Sequence, residues 1–99
     1  MPKFIELEVY SEVGNHWVVR TPGRQFPALV IQGDTLHGIY ADLLELSQRL
    51  DALPAIDQEI RDEATAIASS MRERLFHYES VIEAAGFQLP YTKSVGAGT

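Results

Sequence analysis

The sequence predicts an α+β fold, a three-stranded antiparallel sheet followed by two helices in the order β-β-β-α-α, the second helix long. Three observations carry this reading. Residues 4–10, FIELEVY, alternate apolar and polar side chains, the two-residue period of a half-buried strand. Between residues 21 and 27, Pro22, Gly23 and Pro27 break any ladder, because a proline has no amide to donate. After Gly33 the apolar spacing changes to three and four residues and keeps that period as far as Ala85.

The first strand places Ile5, Leu7 and Val9 on one face and Glu6, Glu8 and Tyr10 on the other. Gly14-Asn15 is a turn signal, and HWVVR, residues 16–20, is the second strand. There Trp17 and Val19 share a face, and His16, Val18 and Arg20 share the opposite one. The two strands are close enough in sequence to pair as an antiparallel hairpin. TPGRQFP, residues 21–27, is a loop, and ALVIQ, residues 28–32, is a short third strand. Its unbroken apolar character predicts a strand at the centre of the sheet or covered on both faces.

Gly33-Asp34-Thr35 reads as the joint between strand and helix. It has neither the second glycine nor the Gly-Lys-Ser/Thr of a phosphate-cradling loop. Gly33 would allow a turn with positive φ, and Asp34 would cap the helix by accepting from the amide of Leu36 or His37. The first helix then carries Leu36, Ile39/Tyr40, Leu43, Leu46/Ser47, Leu50 and Leu53, and Pro54 closes it. The second carries Ile56, Ile60, Ala64, Ile67, Met71, Leu75, Tyr78, Ile82 and Ala85, with Gly86 as its C-cap and Leu89-Pro90 beyond. Residues 1–90 are expected to form one domain, with the helices covering one sheet face and residues 91–99 as a flexible tail. A helix of roughly 30 residues is about 45 Å long, against a radius of gyration near 13 Å for a domain of this size (~100 residues). Either it kinks at Ser69-Ser70 or a second chain covers the surplus, so a homodimer is expected.

At 99 residues with 45% hydrophobic content, the chain can bury one core and has no second lobe to enclose a cleft. It has no cysteine, which excludes disulfides, thiolate chemistry and cysteine-bound zinc and favours a reducing, cytoplasmic setting. Glu6, Glu8 and Glu12 interrupt the N-terminal apolar pattern as no signal-peptide core does. No apolar run approaches the ~20 residues that span a bilayer. The net charge of −6 is uneven: residues 41–63 hold seven acids against Arg49 and Arg61. Such a patch repels a phosphate backbone and attracts a basic protein partner. Asp57, Glu59, Asp62 and Glu63 also have a simpler use, favouring the N-terminus of the second helix.

No enzymatic reading is supported. His16, His37 and His77 lack a neighbouring ligand at metal-binding spacing, and Ser69, Ser70 and Ser80 lack a diagnostic histidine. No metal, cofactor or catalytic residue is expected. The residues that look functional are Arg20, Arg24 and Phe26, near Trp17 and Tyr10, the types that dominate interface hot spots. Trp17 and Phe26 are equally readable as core, with the arginines solvated. The acidic candidates for partner contact are Glu45, Asp51, Asp57, Glu59, Asp62 and Glu63, with Glu6, Glu8 and Glu12 as an alternative set on the sheet.

FPALVIQGDTL also resembles the core of the HicB-like antitoxin family, through Phe26, Pro27, Gly33, Asp34, Thr35 and Leu36, over roughly residues 4–50. The chain departs from that family in lacking the Pro-Gly-Cys of its third strand, a fourth strand and a C-terminal DNA-binding module; the long second helix stands in their place. The stretch from Arg20 to Pro27 is similar as well to small bacterial domains in which Arg-x-Pro-x-Arg-x-Phe-Pro leads into a Gly-Asp-Ser/Thr joint. The resemblance implies a non-enzymatic immunity or antitoxin-type protein that occludes a toxin domain without repressing its own gene. The alternative is a structural or regulatory homodimer assembled through the long helix.

Overall fold

Three strands and two helices follow one another in the computed structural model, which describes residues 2–92. They are β1 Glu8–Ser11, β2 Val18–Arg20, β3 Ala28–Leu29, α1 Gly33–Asp51 and α2 Gln58–Ala84, the α+β order that the sequence predicts. The chain divides into two compact units, with the boundary between Gln32 and Gly33.

The first unit is a sheet in the order β1-β2-β3, antiparallel throughout. Glu8 lies opposite Arg20 and Val9 opposite Val19, but Ser11 lies opposite Val18, so the register slips around Tyr10 in a β-bulge. On the other side Val18 pairs with Leu29 and Val19 with Ala28, and the Val30 amide donates to the Trp17 carbonyl at 2.7 Å. The central strand is therefore β2, and the expectation that ALVIQ is central is corrected: β3 is an edge two residues long. An unbroken apolar run shows that a strand carries no polar face; it does not supply a second neighbour. Pro27, without an amide, also limits the ladder at its start. Turns at Gly14 and Gly23, with φ of 65° and 80°, join the strands. Val19 is the unit's only buried residue among those described.

The second unit is a helical hairpin. Ser47 meets Thr65 and Gly33 meets Tyr78, so α1 and α2 run in opposite directions. Tyr40, Ala68 and Leu75 form the buried apolar core, joined by Ser47 and Glu79. Both ends of α2 are capped. Asp57 has the extended backbone of an N-cap (φ −63°, ψ 136°), and its Oδ1 accepts the Glu59 amide at 3.0 Å. At the other end Gly86, with φ of 92°, turns the chain so that its amide donates to Glu83 O at 3.0 Å and the Phe87 amide to Ile82 O at 2.9 Å. That pair of bonds is a Schellman motif. The Arg61 guanidinium closes the interhelical turn by donating to the Leu53 carbonyl. Over its 27 residues α2 is unbroken through Ser69 and Ser70, an element about 40 Å long.

The joint at Gly33 works differently from the expectation. Gly33 is the first residue of α1, and positive φ among the described residues is confined to Gly14, Gly23 and Gly86. A side chain is excluded there because a Cβ would lie 2.1 Å from Cζ of Tyr78. Asp34 sits inside the first turn, and its Oδ1 accepts from the Thr35 amide at 2.8 Å rather than from Leu36 or His37.

Candidate interaction site

The β1–β2 register brings the first group of candidate residues together. With Glu8 opposite Arg20, the guanidinium donates to Glu8 Oε1 while the Tyr10 hydroxyl donates to Oε2 at 2.7 Å. Both carboxylate oxygens are thereby occupied. The hydrogen bond from Arg20, reinforced by that from Tyr10, holds the Glu8 carboxyl below its ordinary range. The same bonds hold the Tyr10 phenol and the Arg20 guanidinium above theirs, since either one losing its proton would remove a partner of the Glu8 anion. Beside this triad, Glu6 and the turn Thr21–Arg24 line a shallow groove. Arg24, whose amide donates to the Thr21 carbonyl at 3.2 Å, reaches its rim with its guanidinium outside any hydrogen bond or ion pair among the described residues, whereas that of Arg20 is already engaged.

The aromatic candidates are on the surface. Trp17 is 41% and Phe26 74% exposed, which corrects the reading of either as core. A two-residue edge strand and a proline-bounded loop leave too little chain around them to enclose rings of that size. Tyr10 is exposed as well.

The six main acidic candidates belong to the helical unit and are all exposed: Glu45 within α1, Asp51 at its end, and Asp57, Glu59, Asp62 and Glu63 at the start of α2; the alternative set, Glu6, Glu8 and Glu12, is exposed in the sheet unit. Two of the six have local duties. Asp57 is the N-cap, and Asp62 accepts the Gln58 side-chain amide at 2.8 Å. The candidate residues therefore divide between the units, with Tyr10, Trp17, Arg20, Arg24 and Phe26 in the sheet and the six acids in the hairpin.

A further polar cluster escapes sequence reasoning. The Tyr91 hydroxyl donates to Glu79 Oε2 at 2.9 Å, and its ring stacks on His37 with centroids 3.9 Å apart and 17° between planes. Glu79 is only 4% exposed, and His37 Nε2 is buried without a hydrogen-bond partner. Desolvation, followed by the bond to the Glu79 carboxylate, pushes the Tyr91 phenol well above its usual range. Tyr91 is thus held against the hairpin, although the sequence places it at the start of a tail; positions 93–99 of that expected tail lie outside the described residues. Pro90, four residues beyond the Gly86 turn, is the one sequence sign that the chain folds back here. Among the described residues no three histidine, aspartate or glutamate side chains converge as metal ligands would, and no helix is long and apolar enough to cross a membrane.

Residues 2–91 match a family described as being of unknown function, DUF6959. The chain belongs to this family. The DUF6959 match takes in the sheet and the hairpin alike, and it carries no link to HicB-like antitoxins. No curated protein and no solved structure matches the chain.

Proposed function

We infer that the chain is a non-enzymatic binding protein of the immunity or antitoxin type, which occludes a partner protein with its sheet unit. One observation carries this reading: the unit buries Val19 alone and leaves Phe4, Ile5, Trp17, Phe26 and Leu29 open to solvent. Exposed apolar groups collected in so small an element mark an interaction surface, because leaving them in water forfeits about 25 cal/mol for each Å² that a partner would cover. Trp17 and Phe26 are the anchors, rigid rings that lose little rotamer freedom on docking. Arg24 supplies the charged contact, meeting a carboxylate on the partner, while Arg20 stays with Glu8. The acids of the hairpin act at longer range, raising the encounter rate with a basic toxin domain in the cytoplasm. The resemblance of residues 26–36 to HicB-like antitoxins supports the same class of activity, without the DNA-binding module that would add autorepression.

Co-expression with the product of the neighbouring reading frame tests this directly. The expected result is a complex that survives purification and relief of any toxicity. Trp17→Ala and Phe26→Ala should each weaken it by about thirtyfold, the effect of losing one hot-spot ring. Failure to form a complex, or a complex indifferent to both substitutions, would remove the reading.

A further inference from the structure

The two helices of the hairpin carry matching rows of exposed aliphatic side chains. On the α1 side they are Ile39, Leu46 and, just past the helix end, Leu53; on α2 they are Ile60, Ile67 and Val81, with Arg74 between the last two. Each row advances by seven residues at a step, the heptad spacing that holds a line along one side of a helix. Four of these positions immediately precede a buried one: Ile39 before Tyr40, Leu46 before Ser47, Ile67 before Ala68 and Arg74 before Leu75. Because the helices run in opposite directions, the residue before a core position turns to the same side of the hairpin on both. Ile39, Leu46 and Ile67 therefore share one face with Arg74, and the seven-residue spacing along α2 extends it to Ile60 and Val81; these five aliphatic side chains are 38–52% exposed.

A hairpin of two helices needs apolar residues only along its shared seam. Apolar positions on the seam plus one flank are the pattern of helices that pack against further helices. We propose that this face binds a second copy of the chain, two hairpins closing by a twofold axis into an antiparallel four-helix bundle. Three features favour a second copy over any other occupant. Aliphatic residues at heptad spacing occur on both helices, Ile39 and Leu46 on α1 and Ile60, Ile67 and Val81 on α2, so a twofold rotation lays α1's row on α2's and satisfies both at once. The charges also fit: the hairpin as a whole is acidic, but this face has Asp42, Glu63 and Arg49 at its border and Arg74 within it, so it is balanced and can answer itself. Glu45, Glu59 and Asp62 fall on the other sides by the same helical spacing, away from the repulsion that would oppose pairing. Finally, the exposed aliphatic area is on the order of 500 Å², so two such faces would bury about 1,000 Å² together, the lower end of what a specific interface needs. The residues of this face all belong to the hairpin, so substitutions there leave the sheet unit's own residues unchanged.

Light scattering on the full chain at high concentration tests the proposal. The expected mass is that of two chains. The double substitution Leu46→Glu with Ile67→Glu should reduce it to one chain with unchanged far-ultraviolet circular dichroism. Phe76→Ser, on the opposite side of α2 and 66% exposed, should leave two. Should the double variant lose helicity, Leu46→Gln and Ile67→Gln carry the test separately, each expected to raise the dissociation constant by about tenfold or more. A single-chain wild type, a dimer indifferent to Leu46 and Ile67, or a dimer broken by Phe76→Ser overturns the proposal.

Discussion

The hairpin and the sheet use their apolar residues in opposite ways. In the hairpin the helical period puts Tyr40 on one element against Ala68 and Leu75 on the other, and those side chains are buried. Both ends of α2 are capped by side chain or glycine, and a guanidinium closes the turn before it. In the sheet the two-residue period of FIELEVY is equally regular, yet Ile5, Leu7 and Val9 stay exposed and Val19 alone is enclosed. A period defines which side chains share a face. Whether that face is buried depends on a second surface, and in the sheet unit Ile5, Leu7 and Val9 remain exposed.

The sharpest test of this contrast is Leu75→Ala. Leu75 is 1% exposed, and removing a fully buried leucine leaves a cavity that costs about 2–5 kcal/mol. Two signals separate the units, because the chain's single tryptophan, Trp17, lies in the sheet and the helical circular dichroism comes from the hairpin. The expected result is a large drop in the denaturant midpoint followed at 222 nm, with the Trp17 fluorescence midpoint unmoved. Equal shifts in both signals would show that the units unfold as one body and would break the comparison.

Gly33→Ala should come next. Gly33 opens α1, outside the helix interior where alanine's advantage over glycine reaches about 1 kcal/mol, so propensity alone predicts little change or a slight gain. The new Cβ would lie 2.1 Å from Tyr78 Cζ, however, and displacing that ring from its packing should give a net loss of about 1–3 kcal/mol. In a Tyr78→Ala background the obstruction is absent, and Gly33→Ala should become neutral or stabilising; a double-mutant cycle measures the difference. If Gly33→Ala stabilises the wild type, the interhelical approach at this point is not tight.

Tyr91→Phe probes the same hairpin with a smaller expected effect. It leaves the buried Glu79 Oε2 without its donor, at a cost of about 1–3 kcal/mol near neutral pH. The pH dependence has a definite sign. Tyr91's folded pKa lies above its ordinary value of 10.0, so both states keep the proton at lower pH and the bond contributes in full. As pH rises through that value the unfolded chain loses its proton first, and the contribution declines. Between about pH 8 and about pH 11 the wild type should therefore lose more stability than Tyr91→Phe, and the two denaturation midpoints should converge. Parallel curves would show that the hydroxyl is not held by Glu79.

What was legible in the sequence follows from whether the cause was local. Asp57, Pro54 and Gly86 mark the ends of the helices through their own backbone chemistry, and the structure uses Asp57 and Gly86 as cap and turn. The change of period at Gly33 likewise located the joint. The reason for the glycine was not legible, because it lies in Tyr78, 45 positions later, and no local rule connects the two. The place of β3 at the edge failed for the same reason, since strand order is a long-range fact. Tyr91 was missed because its hold comes from Glu79 and His37, neither of them near it in sequence. Within the candidate site, alternation did place Glu8 and Tyr10 on one face, but only the register showed that Arg20 is consumed by Glu8.

The smallest expected change in stability carries the most weight for function. Phe26 is 74% exposed, so Phe26→Ser should alter the stability of either unit by no more than about 0.5 kcal/mol, the usual bound for a surface position. In the hairpin a comparable loss of ring area, Tyr40→Ser, would be crippling, because Tyr40 is 2% exposed. The contrast is measurable in one denaturation series, with Trp17 fluorescence reporting on the sheet. If Phe26→Ser shifts that transition strongly, the ring supports the unit's own structure and is not held in reserve for a partner. If the transition stays in place while binding to the co-expressed protein is lost, the exposed rings of the sheet unit are its working surface.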